Sequence, residues 1–192
     1  MIRFILPLLL LTVAAPAAAA GPPVSRAIVE ADGSRTLVHE VEVPAEPREI
    51  WKAISTPEGW VGWAVPLARM VEGEEGLLET SYNPGAAPGG PDTIRQLMLA
   101  AIPNRMLAFR AVKGPQGFGD FETFAKVVSV FELVPREKSG TLVRLTTAGY
   151  PDSEAGRRLL AFFDKGNSLS LDMLRRRFAE GPIDWSKRLQ PK

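Results

Sequence analysis

The sequence predicts an α+β fold in which a curved antiparallel sheet of seven strands wraps around a long C-terminal helix. Between residues 35 and 150, runs of alternating apolar and polar residues are separated by turn residues, as in strands joined by hairpins. Between residues 153 and 180, apolar residues recur at steps of three and four, as on one face of a helix. Pro47 and Pro57 each begin a short helical pattern after the first strand, where proline suits a first helical turn.

The first strand and the two short helices occupy residues 35–62. Strand alternation places four side chains on one face of the strand, namely Leu37, His39, Val41 and Val43. Pro47 starts the first helix, and Ser55 or Thr56 caps the second. The same segment brings three tryptophans close together in sequence, at Trp51, Trp60 and Trp63. We interpret Trp51 as a packing residue and the other two as candidates for a binding site.

Six further strand-like runs follow, and the longer ones form two predicted hairpins. DTIRQLMLAAI pairs with RMLAFRAV across IPN, and ETFAKVVSVFELVP pairs with TLVRLTTAGY across REKSG. In the second hairpin, the side chains of Ser129, Phe131 and Leu133 should meet those of Val143, Leu145 and Thr147. Gly166 lies in the middle of the final helix, where glycine costs about 1 kcal/mol relative to alanine. Either a close approach to the sheet or a local bend would account for it.

Residues 1–20 have the pattern of a secretory signal peptide that is cleaved near Ala20. Arg3 is followed by an apolar run and then by small residues. The alternative is an uncleaved membrane anchor. Pro7 and Pro16 interrupt the run, however, and leave it short of the roughly 20 residues that a span needs. We therefore expect an exported protein, either periplasmic or secreted.

The remaining chain is predicted to form one domain at residues 35–185, between a flexible leader at 21–34 and a tail at 186–192. Arg3 is the only charged residue among the first 20, so 22 basic and 22 acidic residues remain after cleavage. A neutral domain has no overall attraction to nucleic acid or to an anionic membrane. Cysteine is absent, which excludes disulfides, thiolate metal sites and a cysteine nucleophile.

Three stretches resemble a bacterial SRPBCC domain, also called START-like or polyketide-cyclase-like: VHEVEVPAEPREIWKAISTPEGW, FELVPREKSGTLVRLTTAGYP and FFDKGNSLSLDMLRRRFAEGPIDW. The resemblance spans Thr36–Trp185, and its nearest branch is that of the homologues of the heat-shock-protein ATPase activator. It implies a helix-grip fold, a scaffold that hosts lipid carriers, hormone receptors and cyclases. Many members of the branch have histidine where this chain has Thr147, so a polar role at that position is not carried over. The activator role is not carried over either, because a cytosolic ATPase and an exported protein do not meet.

A long helix laid across a curved sheet leaves a space that side chains do not fill, so the sequence predicts a cavity there. Trp60 and Trp63 lie three residues apart, on one helical face, and are interpreted either as its roof or as ordinary core packing. The predicted walls are Met98, Met106, Phe109, Phe131, Leu145 and Phe163, with a core without a cavity as the competing interpretation. Gln96 shares a strand face with Met98 and, if that face points inward, could orient a polar head of the ligand. Phe118 and Phe121 either form a mobile gate with residues 83–91 or belong to a flexible loop with one anchoring aromatic.

His39 is the only histidine in the chain. Its strand face points toward the predicted cavity, where an imidazole titrates near neutral pH and could act as an acid or base. The alternative is a buried histidine that is hydrogen-bonded to a neighbour, because no partner motif supports catalysis. A zinc site would need His39 together with carboxylates, so no metal site is predicted.

These patterns favour an exported protein that binds a small hydrophobic molecule, either a lipid or an aromatic metabolite, without a cofactor. Two alternatives stay open. One is a cyclase or hydrolase that uses His39 as its acid or base. The other is an interaction module of the cell envelope without a ligand, which predicts a collapsed interior and an exposed apolar patch. No pattern in the sequence indicates an oligomeric state.

Overall fold

The computed structural model describes residues 21–137 and 140–188. The predicted signal peptide at residues 1–20 lies outside this part of the chain, as do residues 189–192 of the predicted tail. The elements are, in chain order, β1 (Val24–Val29), β2 (Arg35–Val43), α1 (Pro47–Ser55), α2 (Pro57–Val61), β3 (Leu67–Met70), β4 (Leu77–Ser81), β5 (Ile94–Ile102), β6 (Met106–Lys113), α3 (Phe121–Phe124), β7 (Val128–Pro135), β8 (Thr141–Tyr150), α4 (Glu154–Glu180) and α5 (Trp185–Arg188). None of the helices in the described residues is both long enough and apolar enough to cross a bilayer.

The strands form one antiparallel sheet in the order β1-β2-β8-β7-β6-β5-β4-β3. After β2 the chain crosses through α1 and α2 to the far edge of the sheet. It then returns strand by strand until β8 pairs with β2. The long helix α4 packs against β2 and β8. The predicted α+β architecture, with a curved antiparallel sheet on a long C-terminal helix, is confirmed.

The sheet in the described residues has eight strands rather than the predicted seven, because β1 lies within the segment predicted to be a flexible leader. All six residues of β1 are exposed, so no face of it has to be apolar and its sequence has no burial pattern. The strand β1 is held at the edge of the sheet by backbone pairing with β2, in which Val24 opposes Glu40 and Val29 opposes Arg35. The two short helices consequently follow the second strand. Similarly, α5 begins one residue before the predicted tail.

A single helical turn, α3, replaces the first residues of a predicted strand, so β7 begins at Val128. The aromatic residues explain the difference. Helical spacing puts Phe121 and Phe124 in edge-to-face contact, with centroids 6.5 Å apart. Phe124 also stacks on Phe163 of α4 at 4.5 Å. An extended chain would turn the two rings in different directions, since they lie three residues apart.

The predicted starts of the helices are confirmed at α1 and α2. Both begin with proline, and the hydroxyl of Thr56 accepts a hydrogen bond from the backbone N–H of Gly59 at 3.0 Å. Gly59 also permits the tight turn between the two helices. A β-carbon at this position would lie 2.1 Å from the carbonyl oxygen of Lys52. This geometry fixes where Trp60 and Trp63 enter the core.

The two predicted hairpins are confirmed. In β5 and β6, Met98 opposes Phe109 and Ile102 opposes Met106. The β7–β8 pairing has the predicted facing residues, which are Ser129 with Thr147, Phe131 with Leu145 and Leu133 with Val143. Alternation along these strands is therefore a reliable guide to which side chains point toward α4.

Helix α4 covers the predicted range, and the hydroxyl of Ser153 caps it by accepting from the N–H of Gly156 at 3.1 Å. It ends at Gly181, whose φ of 98° lies in the region that glycine favours. The predicted close approach at Gly166 is wrong, because a β-carbon built there meets nothing within 4 Å. A close approach occurs instead at Gly156, where a β-carbon would lie 1.9 Å from the carbonyl oxygen of Pro151.

We predict that Gly166→Ala stabilises the protein by about 1 kcal/mol, because alanine is the better helix former and the site has room for its methyl group. The measurement is the free energy of unfolding from a urea titration followed by circular dichroism. Gly156→Ala is the matched control, and it should destabilise the protein because its methyl group meets backbone. A loss of stability in Gly166→Ala would mean that this part of α4 is more crowded than the structure shows.

The buried apolar side chains form two separate clusters. The larger one contains Trp60, Trp63, Phe131 and Leu145, with buried neighbours drawn from β2, α1, β4, β6–β8 and α4. The smaller one consists of Leu37, Val127, Tyr150 and Leu159, with four partly buried residues packed on it, namely Phe118, Phe124, Leu160 and Phe163. Residues of both clusters face the same interior space, which is the candidate site.

Candidate functional site

A cavity of about 250 Å³ lies between the sheet and α4, where the two apolar clusters meet. Its wall is built from α2, β4–β8, α4 and residues 115–124, which include α3 and are called the α3 segment below. Seven of the predicted site residues border it: Trp60, Trp63, Gln96, Phe109, Phe131, Leu145 and Phe163. The interior is therefore hollow, contrary to the collapsed interior expected of an interaction module without a ligand.

Trp60 and Trp63 form one wall of the cavity and are held there by the end of α1. The indole N–H of Trp60 donates to the carbonyl of Ile54 at 2.7 Å, and that of Trp63 donates to the carbonyl of Ala53 at 2.9 Å. The two rings stack with centroids 5.2 Å apart. Because both polar N–H groups are satisfied by backbone, the rings present carbon surface to the cavity. Trp51 packs against the outside of the same cluster, as predicted.

Further aromatic rings continue this wall and form a second group. Phe109 meets Trp60 edge to face at 6.2 Å and stacks on Phe131 at 6.0 Å. The second group that borders the cavity contains Phe118, Phe124, Phe162 and Phe163, whose rings contact one another. Sequence reasoning did not assign Phe124 or Phe162 to the site. Phe124 lies three residues after Phe121 and Phe162 directly precedes Phe163, and neither spacing distinguishes a cavity wall from solid packing.

A small polar network crosses one side of the cavity. Tyr150 donates its hydroxyl proton to the hydroxyl oxygen of Thr147 at 3.1 Å, and the side-chain amide of Asn167 donates to the same oxygen at 3.4 Å. Burial raises the pKa of Tyr150 to about 12, so its hydroxyl remains a donor over the physiological pH range. None of these three residues was among the predicted site residues. Thr147 stands where many members of the branch have histidine, so no polar role was carried over to it, and here its hydroxyl joins β8 to α4.

Gln96 of β5 also borders the cavity and is not part of this network. Its Oε1 atom is shielded from solvent and has no hydrogen-bond partner. A buried polar atom without a partner costs about 1–3 kcal/mol. The same side chain also borders a narrow void next to Met98 and Leu107. Gln96 is thus the part of the wall where the structure leaves a hydrogen bond unmade.

The cavity wall carries no formal charge. Among the described residues that border it there is no Asp, Glu, Lys, Arg or His. The titratable groups in the wall are the phenols of Tyr82 and Tyr150, which are neutral near pH 7. The site therefore offers aromatic surface and a few neutral hydrogen-bonding groups.

The cavity opens to solvent between β4, the α3 segment and α4. Tyr82 and Phe162 border it and are 67% and 59% exposed. The backbone N–H of Gln116 donates to the carbonyl of Pro91 at 2.8 Å, which joins the two loops beside the opening. Phe118 borders the cavity, whereas Phe121 packs against Gly114 behind it. Of the two phenylalanines predicted to form a gate, Phe118 borders the cavity and Phe121 does not.

Two predicted wall residues do not border the cavity. Met98 lies two residues after Gln96 on the same strand, β5. It borders the narrow void together with Trp60 and Phe109, and it does not border the main cavity. Met106 points to the other face of the sheet, because its neighbour Leu107 takes the inward position opposite Phe131. Strict alternation from Phe109 would have excluded Met106.

His39 is fully buried and does not face the cavity, so that expectation is corrected. Its Nε2 atom donates to Asp164 of α4, to the backbone carbonyl at 3.0 Å and to Oδ1 at 3.1 Å. The physical reason is its strand. β2 lies beyond β8, at a place where α4 packs directly on the sheet. The alternative of a buried, hydrogen-bonded histidine describes this geometry. Within the described residues, no group of three or more His, Cys, Asp or Glu is arranged to hold a metal ion.

Comparison with solved structures shows the same fold in proteins of low identity. The Aha1 dimer from Colwellia psychrerythraea is 17% identical with a TM-score of 0.59, over 76% of this chain and 97% of that one. CalU16 from Micromonospora echinospora is 21% identical with a TM-score of 0.54, over 89% and 91%. Norcoclaurine synthase from Thalictrum flavum, solved with dopamine and hydroxybenzaldehyde, is 15% identical with a TM-score of 0.52, over 89% and 91%.

The sequence itself matches one family model, described as polyketide cyclase/dehydrase and lipid transport, at residues 34–178. A search of curated protein sequences finds no match to this chain. The matched range contains β2, every strand after it and all but the last two residues of α4, and hence every residue that borders the cavity. The resemblance drawn from the sequence is confirmed, and the chain belongs to the polyketide cyclase/dehydrase and lipid transport family.

Proposed function

We propose that this protein binds one small hydrophobic molecule in the cavity between the sheet and α4. The observation that carries the proposal is a cavity of about 250 Å³ whose wall is largely aromatic and carries no charge. A cavity of about 150 Å³ lined by apolar side chains is large enough to bind benzene. The space here is suited to a larger guest, of about the size of two fused rings. Burial of its apolar surface, at about 25 cal/mol per Å², drives binding.

The test is isothermal titration calorimetry with 2-naphthol, a two-ring probe. We expect saturable binding of one molecule per chain, with a negative heat-capacity change because apolar surface is buried. Trp60 and Trp63 border the cavity, so their fluorescence should change over the same concentration range. The absence of saturable heat at all accessible concentrations would contradict the proposal.

The proposal extends to location. Residues 1–20 contain one charge, an apolar run and small residues before Gly21, which supports export with cleavage near Ala20. Mass spectrometry of the protein from its own cells tests this. A mature chain that begins near Gly21 in the envelope fraction or the medium supports export, and an N-terminus at Met1 contradicts it.

The alternative of an enzyme that depends on His39 is less well supported, because the imidazole is enclosed between β2 and α4 and hydrogen-bonded to Asp164. We predict that His39→Ala destabilises the protein by about 2–3 kcal/mol, since it removes a buried ring and its hydrogen bonds. The dissociation constant of 2-naphthol should stay within about threefold of wild type, or about 0.7 kcal/mol.

The matched variant is His39→Gln, whose side-chain N–H can still reach Asp164. It should recover part of the lost stability in the same urea titration. A tenfold or greater loss of 2-naphthol affinity in both variants, with folding intact, would place His39 in the binding site and revive the enzyme hypothesis.

A further inference from the structure

We propose that the ligand is a neutral, flat molecule with one hydroxyl or N–H donor, and that Gln96 accepts the hydrogen bond from this donor. The inference rests on the proposed function, because it names the class of molecule that the same cavity takes. It follows from three properties of the wall, which are its lack of charge, its aromatic faces and the buried amide oxygen of Gln96, which has no partner.

The lack of charge selects against ions. A carboxylate or ammonium group that enters the cavity loses its hydration, and no wall residue of opposite charge compensates for it among the described residues. A neutral hydroxyl or amide loses far less hydration free energy on entry, and one hydrogen bond to the wall compensates for that loss. Free fatty acids with the head group inside and biogenic amines are therefore disfavoured guests.

The aromatic walls select for shape. Two pairs of rings in mutual contact border the cavity, Trp60 with Trp63 and Phe124 with Phe163. Aromatic rings pack well against a flat guest, by stacking or by edge-to-face contact. Two fused rings match the available volume better than a flexible chain, which loses conformational freedom on entry.

The polar groups of the wall select for a donor. Tyr150 and Asn167 each donate a hydrogen bond to Thr147, so these donors are engaged within the wall. Gln96 Oε1 accepts nothing. The terminal torsion of glutamine is broad and nearly two-fold, so rotation of the amide about this torsion turns the oxygen toward a guest. A donor on the guest then removes the cost of the unpaired atom, whereas a guest with only acceptors does not.

Four probes of similar size separate these properties in calorimetry near neutral pH: naphthalene, 2-methoxynaphthalene, 2-naphthol and 2-naphthoate. We expect 2-naphthol to bind about fivefold more tightly than 2-methoxynaphthalene, the effect of one hydrogen bond of about 1 kcal/mol. We expect 2-naphthoate to bind more weakly than 2-naphthol by at least about tenfold, because its charge is buried without a partner.

Gln96→Leu tests the residue itself. It should remove the preference for 2-naphthol over 2-methoxynaphthalene while naphthalene binding stays within about twofold, because leucine keeps the apolar volume but cannot accept a hydrogen bond. Gln116→Leu is the matched control. Its side chain is exposed outside the cavity, and the preference should persist. Gln96→Met, which is unbranched like glutamine, serves as a second variant if the leucine variant folds poorly.

The outcomes are distinct. Equal binding of 2-naphthol and 2-methoxynaphthalene by the wild type, an unchanged preference in both Gln96 variants, or 2-naphthoate binding as tightly as 2-naphthol overturns this inference and leaves the proposed function standing. Binding of none of the four probes overturns the proposed function as well. The probe series on the wild-type protein does not depend on the folding of any variant, and the Gln96 variants then test the residue assigned to the preference.

Discussion

Replacing Ser170 with tryptophan is expected to weaken 2-naphthol binding by at least about a hundredfold, or about 2.7 kcal/mol. Ser170 borders the cavity from α4, and side chains on a helix lean toward its N-terminus. An indole at this position therefore extends over Gly166, where the structure has open space, and into the volume that the guest needs. Calorimetry under the conditions used for the wild type measures the loss.

Ala161→Trp is the matched control on the same helix. Ala161 is exposed and does not border the cavity, so this variant should bind 2-naphthol as the wild type does. Urea titrations of both variants show whether they fold. If the folded Ser170→Trp variant retains affinity within about threefold of wild type, the probe does not bind in the cavity.

Glu79→Gln is expected to lower the free energy of unfolding by about 3 kcal/mol, because it removes the buried charge that pairs with Arg69 and Arg95 and replaces one accepting oxygen with an NH2 group. Glu79 of β4 is 1% exposed and lies on the face of the sheet away from α4. It is hydrogen-bonded to Arg69, to Arg95 at 2.9 Å and to the backbone N–H of Gly89 at 3.0 Å. These contacts join β3, β5 and the loop at residues 83–93, which borders the mouth of the cavity.

The effect of Glu79→Gln should depend on pH. Burial opposes ionisation of Glu79, but the hydrogen bonds from Arg95, Arg69 and Gly89 outweigh it and lower the pKa from 4.5 to about 2. A carboxylate with a lowered pKa contributes its full stability above its unfolded value and loses it as the pH falls through its folded value. The difference in unfolding free energy between wild type and variant should therefore be constant above pH 4.5 and shrink toward pH 2.

Glu132→Gln provides the comparison for this second prediction. The side chain of Glu132 is 42% exposed and lies 3.4 Å from Arg144, so its replacement should cost less than about 1 kcal/mol. Equal losses in the two variants, or a Glu79→Gln difference that does not change between pH 4.5 and about 2, would contradict the role assigned to the buried carboxylate.

Local chemistry was sufficient to predict most of the fold. Pro47 and Pro57 mark the helix starts, Thr56 caps α2, and strand alternation gives the correct facing pairs in β7 and β8. These features depend on a few neighbouring residues or on one hairpin. The exposed strand β1 could not be predicted in the same way, because backbone pairing with β2 holds it and no burial pattern marks it.

The candidate site was predicted in part for a related reason. Alternation identifies inward positions such as Gln96, Phe109 and Phe131, but it does not show where along an inward face the cavity ends. His39 and Leu145 are direct neighbours on paired strands and share a face. Leu145 borders the cavity, whereas His39 lies under α4. That difference depends on how the helix crosses the sheet, which is a long-range property of the fold.

The most direct test of the central claim is a crystal structure of the protein with 2-bromonaphthalene, using the anomalous signal of bromine to locate the guest. We expect one dominant bromine peak between Trp60, Phe131 and Phe163, with α4 and the sheet in their present positions. A bromine peak found only on the outer surface, or an interior in which the side chains close the space and no peak appears, would contradict it.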